Sequence, residues 1–159
     1  MAPATQVSSV GKTNIGHVVL NVTDLQVSAR FYCDVLGMRK RRAGVFNGDT
    51  MVFLTFGEQD HDLALVESRK PLPRADGEAG ALGHVAFRIG SRLEELRGFK
   101  THLDRLGIVP EQIVEHLYAR SIYFRDPDGI ALEVYVDSGT PTPFVNEEMR
   151  IDNPPLKLD

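Results

Sequence analysis

The chain has 159 residues, 42% hydrophobic and 25% charged, which suits one globular domain with a sizeable core and excludes a disordered or fibrous class. A net charge of −4 and a pI near 5.7 supply no cationic surface for nucleic acid or an anionic membrane. No apolar run approaches a membrane span, the opening MAPATQVSSVGKT lacks a signal peptide's apolar stretch, and the single cysteine, Cys33, excludes an intrachain disulfide framework, so a soluble cytoplasmic protein is expected.

In chain order, residues 15–22 read IGHVVLNV, a strand, and a helix follows from about Asp24 to Leu36. Thr23 or Asp24 can cap that helix, Leu25, Phe31, Val35 and Leu36 fall near one face, and Gly37 suits its exit. Three short strands are predicted next, over 38–46, 50–56 and 62–67, the first opening with the basic run Arg39-Lys40-Arg41-Arg42, read as a solvated strand edge. The same order then returns: LGHVAFRI over 82–89, a helix over 91–106 with Leu93, Leu96, Phe99, Leu103 and Leu106 at steps of three and four, and strands over 109–117, 121–125 and 130–136. The fold class is therefore α+β, two βαβββ modules in one chain whose curved mixed sheets are expected to enclose a metal site. Residues 1–136 form one domain, with module one over 14–67, a Pro/Gly-rich connector over 68–81 and module two over 82–136; 137–159 is a Pro-rich tail laid over the domain or partly disordered. The strand edges and the tail need covering, so a homo-oligomer is expected.

The repeat aligns chemistry as well as structure. His17 and His84 hold the same position in the two first strands, an offset of 67 residues. Glu133 stands in the last strand of the second half, and the equivalent position in the first half is Val66, with Glu67 one residue out of phase. A bulge would shift that phase, so Glu67 stays open as a fourth donor. Two imidazoles and one carboxylate leave several metal positions open, the arrangement of non-haem Fe(II) centres, whereas a His/Glu/His/Glu set suits Ni(II) or Zn(II) acting as a Lewis acid. For Glu133, charged inside IALEVYV, the competing reading is a buried salt bridge with Arg120 or Arg125. His116 and Tyr123 precede Glu133 on the strands flanking Asp126-Pro127-Asp128-Gly129, a strong hairpin signal. His102 reads as an ordinary helix residue, Tyr32 as packing, and Tyr118 or Phe144 as a candidate cavity wall.

The doubled βαβββ pattern with GHVVLNV, ARFYCDVLGM, GHVAFRI and FRDPDGIALEVY resembles the vicinal oxygen chelate (glyoxalase/bleomycin resistance/dioxygenase) superfamily over about residues 15–136. Its ending is similar to the signature of type I extradiol ring-cleavage dioxygenases: Val114-Glu115-His116, Ile122-Tyr123, Asp126-Pro127, Gly129 and Glu133 each fall in place. The resemblance implies Fe(II), or Mn(II), held by His17, His84 and Glu133. It implies His61, in HDLALV, as the acid/base histidine, and His116 and Tyr123 as hydrogen-bonding partners of the substrate oxygens. The implied reaction inserts O₂ into the ring of a catechol-type aromatic diol to give a ring-opened semialdehyde. The resembling enzymes commonly have two domains, whereas this chain has room for the catalytic one alone. The alternatives are a glyoxalase- or epimerase-like Lewis-acid enzyme, which needs Glu67 or a position near Val66 as a fourth donor, and a ligand-binding, bleomycin-resistance-like relative, which has no need of His61, His116 and Tyr123.

Overall fold

The computed structural model of the chain describes residues 14–70, 72, 82–139 and 154–158. Module one runs β1 (Val18–Val22), α1 (Leu25–Leu36), β2 (Arg39–Phe46), β3 (Asp49–Thr55) and β4 (Leu63–Glu67). Module two runs β5 (Val85–Gly90), α2 (Leu93–Arg105), β6 (Gln112–Glu115), β7 (Ala119–Arg125) and β8 (Ala131–Asp137). Each module builds a four-stranded mixed sheet, ordered β1-β4-β3-β2 and β5-β8-β7-β6, in which the first strand runs parallel to the last and the other neighbours are antiparallel. The expected α+β class and its two βαβββ modules are what the chain forms. Among the described residues no helix is long and apolar enough to cross a membrane.

Local chemistry explains the boundaries. The Asp24 carboxylate caps α1 by accepting from the backbone N–H groups of Gln26 and Val27, and Gly37 closes the helix at φ 69°, a left-handed conformation that glycine adopts without a Cβ penalty. The second helix starts later than the expected Ser91. Glu95 Oε2 reaches back to the amides of Ser91 and Arg92, at 3.0 and 2.9 Å, and so sets the first turn. Likewise β6 begins at Gln112 and not at Val109, because Pro110 has no N–H to contribute to a ladder. Strand β2 is the outer strand of its sheet, and Arg39 to Arg42 are exposed there, with a bulge between Lys40 and Arg42.

Period-two alternation divides each sheet into a core face and an opposite face. Val52, Leu54, Leu63 and Leu65 of module one, and Ile122, Phe124, Leu132 and Val134 of module two, are buried in the core with Leu96 and Leu103 of α2. Burying each such side chain contributes about 1.5–3 kcal/mol. The alternate residues, Met51, Phe53, Ala64 and Val66 in one sheet and Ser121, Tyr123 and Glu133 in the other, share the face turned away from the helices.

The modules meet on their helix-bearing sides. Phe31 of α1 lies 6.4 Å from Phe124 of β7, and His102 Nε2 sits 2.8 Å from the Asp34 carbonyl near the end of α1. The Asp126-Pro127-Asp128-Gly129 turn, with Gly129 at φ 86°, makes the clasp. Asp126 Oδ1 accepts from the amides of Asp128 and Ile130, and Oδ2 accepts from the Tyr32 hydroxyl at 2.9 Å. The two oxygens of Asp128 accept from the Thr23 amide and the Ser28 hydroxyl, at 2.9 and 3.1 Å, at the start of α1. Burial raises the Asp126 carboxyl above the usual carboxylate range and drives the Tyr32 phenol far above its own.

At the other edge, residues 154–158 lie along β6: the Glu115 amide donates to the Pro154 carbonyl and the Leu156 amide to the Ile113 carbonyl, each at 2.9 Å. The rest of the Pro-rich tail, including Phe144, and most of the connector lie outside the described residues.

Candidate metal centre

Module two assembles most of the expected chemistry. His84 immediately precedes β5, and Glu133 on β8 stands directly between Ala86 of β5 and Tyr123 of β7 in the sheet register. Glu133 is 8% exposed. Its Oε1 accepts a 2.5 Å hydrogen bond from the Ser121 hydroxyl, and its Oε2 lies 3.0 Å from His84 Nε2. The competing salt bridges are taken up elsewhere: Arg120 pairs with Glu115 at 2.8 Å and Arg125 with Glu111 at 2.6 Å. His116, just beyond β6, places Nε2 2.9 Å from the Tyr123 hydroxyl and lies nearly parallel to the Tyr118 ring, 6.3 Å away. Burial, then the Glu133 charge, pushes the Tyr123 phenol up to about 12, so it remains a protonated donor near neutral pH. His84, His116, Tyr118, Tyr123, Glu133 and Tyr135 border a cavity of about 320 Å³.

Module one carries the other two histidines. The His17 ring lies 4.4 Å from that of His61, and Phe53 meets His61 edge-on at 4.9 Å. His61 Nδ1 is 2.8 Å from Asp60 Oδ2, and this bond holds the Asp60 carboxyl below its usual range. Where module two pairs Tyr123 with Glu133, module one pairs Met51 with Val66. Glu67 lies opposite Val22, in the register of the core face, and its side chain is exposed there.

The expected constellation is thus present as two halves. Among the described residues no three His, Cys, Asp or Glu side chains converge to hold a metal ion; the donors stand as two separate pairs, His84 with Glu133 and His17 with His61. His84 with Glu133, and His17 with His61, occupy the outward faces of sheets that meet on their opposite sides. The donor chemistry of module two nevertheless fits a divalent cation: a buried carboxylate with one oxygen bonded by a hydroxyl turns the other toward an imidazole nitrogen. Ser121 went unremarked in the sequence, although its spacing of two from Tyr123 on a strand places both on one face.

Comparison with known proteins agrees with this architecture. The sequence profile of the Glyoxalase/Bleomycin resistance protein/Dioxygenase superfamily matches residues 14–134. The chain is 32% identical over 126 residues to biphenyl-2,3-diol 1,2-dioxygenase 2 of Rhodococcus globerulus, covering 77% of this chain and 62% of that relative, so it spans less than two-thirds of the dioxygenase's length. It is 28% identical to the metallothiol transferase FosB of Staphylococcus epidermidis, covering 77% of this chain and 81% of that one. A crystal structure of a glyoxylase/bleomycin resistance protein/dioxygenase domain from Frankia sp. EAN1pec superposes with a TM-score of 0.71 at 23% identity, over 82% of this chain and 96% of that domain, which shows a shared fold. With a profile match across both modules and the doubled βαβββ sheets in place, the chain belongs to the Glyoxalase/Bleomycin resistance protein/Dioxygenase superfamily.

Proposed function

We propose that this protein is a metal-dependent extradiol dioxygenase that opens the ring of a catechol-type diol with O₂. The observation that carries the reading is Glu133: a nearly buried carboxylate whose Oε2 faces His84, beside a cavity edged by the His116–Tyr123 pair. His17, His84 and Glu133 would hold the ion, Fe(II) or Mn(II). Once bound, the metal supplies a centre where a chelating diol and O₂ react together.

The third donor comes from a second copy. His17 is exposed on module one, and His84, 44% exposed at its side chain, stands on the outward face of module two. Val19 and Ile15, 49% and 83% exposed beside His17, leave apolar surface for a partner to cover. Facing module one of one copy against module two of another joins the three donors and brings His61 to the same cavity.

The protein's own groups then divide the work. The Tyr123 hydroxyl donates to a substrate oxygen, and His116 Nε2 holds that hydroxyl in place at 2.9 Å. His61, fixed through Nδ1 by Asp60, takes a diol proton at Nε2 and later returns it. The aromatic walls Tyr118 and Tyr135 keep water from the reacting ring.

A second reading, a metal Lewis-acid transferase, is favoured by the similarity to FosB, which this chain covers over 81% of its length. The sheet register excludes a four-donor, glyoxalase-like set, because Val66 occupies the face where a fourth carboxylate would sit and Glu67 falls on the other. Against the transferase, the dioxygenase is supported by His61 and the His116–Tyr123 pair, which supply the proton chemistry of ring opening. The test is anaerobic loading with Fe(II), followed by oxygen uptake and ring-fission absorbance across monocyclic and bicyclic catechols. One O₂ consumed per diol with a yellow product is expected, with kcat falling about 10²–10³-fold in His61→Ala. Metal-loaded protein that leaves every diol untouched, yet joins a thiol to an electrophile, would replace this reading with the second.

A further inference from the structure

We propose that Ser121 is a positioning residue whose hydroxyl fixes Glu133 as a one-oxygen metal donor. The proposal rests on the ligand role given to Glu133 above and adds the group that orients it.

In the β7–β8 register Tyr123 lies opposite Glu133 and Ser121 opposite Tyr135, so Ser121 reaches Glu133 along the cross-strand diagonal on one sheet face. Ser121 is fully buried, and its Oγ donates to Glu133 Oε1 at 2.5 Å, the short separation of a hydroxyl bonded to a charged carboxylate. The other oxygen, Oε2, faces His84 Nε2 at 3.0 Å. The two oxygens are thereby made unequal: the protein saturates one and turns the other toward the neighbouring ligand. A carboxylate without that bond is able to bind an ion through both oxygens, which occupies a further coordination position and alters the number left for substrate. The hydroxyl therefore keeps Glu133 to one position. A buried hydroxyl in a strand is costly unless it is bonded, and here its partner is the carboxylate itself.

The test uses the full chain, stripped of metal and titrated with Co(II), whose visible spectrum reports coordination number. Wild type, Ser121→Ala, Ser121→Thr and Glu133→Ala are compared. In Ser121→Ala the affinity is expected to fall about 10–100-fold and the visible bands to weaken as the carboxylate takes a second position. Ser121→Thr, which keeps the hydroxyl, is expected to restore the wild-type spectrum. A Ser121→Ala spectrum identical to wild type, or equal spectral change in the alanine and threonine variants, overturns the positioning role. Glu133→Ala separates the two ideas. If it alone abolishes binding while Ser121→Ala binds as wild type, only the serine proposal fails; if Glu133→Ala binds as wild type, the ligand reading fails with it.

Discussion

Tyr32 and Asp126 form a buried hydroxyl–carboxylate pair 94 residues apart in sequence, and its energetics can be tested one atom at a time. Tyr32→Phe removes the donor to a carboxylate that is 6% exposed and should cost about 1.5–3 kcal/mol near neutral pH. The sign of the pH dependence follows from the raised Asp126 carboxyl. The native state takes up this proton before the unfolded chain does, so the group's contribution to stability is complete below the unfolded pKa and is lost as pH rises through the native value. Because the Tyr32 bond favours the charged form, the deficit of Tyr32→Phe should be smallest near about pH 3–4 and grow toward about pH 7. Urea unfolding at both pH values checks this, and a deficit independent of pH would contradict it. On the proposed function, in which Tyr123 donates to substrate and not to the ion, Tyr123→Phe should lower kcat about 10²-fold with little change in metal affinity. A steady-state assay beside a metal titration separates the two effects. Glu133 was legible in the sequence because a carboxylate inside IALEVYV demands a partner. Asp126 was not, because its position in Asp-Pro-Asp-Gly is fully accounted for by turn chemistry, and nothing local announces a hydroxyl from another module.

Helix ends and strand faces follow from short-range rules, and so do the changes that would damage them. Asp24→Ala removes the acceptor for two backbone amides of α1, and Gly37→Ala puts a Cβ on a residue at φ 69°. Each should destabilise by about 1 kcal/mol, read as a lower urea midpoint with unchanged slope. The capping pattern placed α1 within a residue, whereas α2 starts beyond Ser91 because Glu95, a side chain four positions on, decides where the first turn closes. The period-two pattern was sufficient to put Val66 with His17 and Glu67 on the other face, since β1 and β4 pair without a bulge. It gave no warning that the Asp126–Gly129 hairpin doubles as the clasp on α1. That depends on Thr23, Ser28 and Tyr32 standing where two aspartates arrive.

At the scale of the whole molecule, the internal repeat revealed both modules but not how they face. Leu54 and Leu65, or Phe124 and Leu132, would be buried equally well whether the sheets met face to face or on their helix-bearing sides. Contacts from α1 to the clasp and to α2 select the second arrangement, and the donor faces are left outward. On the proposed function, a metal centre of His17, His84 and Glu133 joins two copies, each supplying what the other lacks.

Mixing two defective variants tests that claim directly. His17→Ala and Glu133→Ala are each titrated with Co(II) alone, then unfolded together in equal amounts, refolded and titrated again. Separately, neither should form the three-donor centre. Random pairing makes half of the dimers mixed, and each mixed dimer holds one intact centre of its two, so about a quarter of wild-type Co(II) binding should return. A refolded mixture as empty as its parents would contradict assembly across copies, and a His17→Ala variant that binds Co(II) like wild type would remove His17 from the centre.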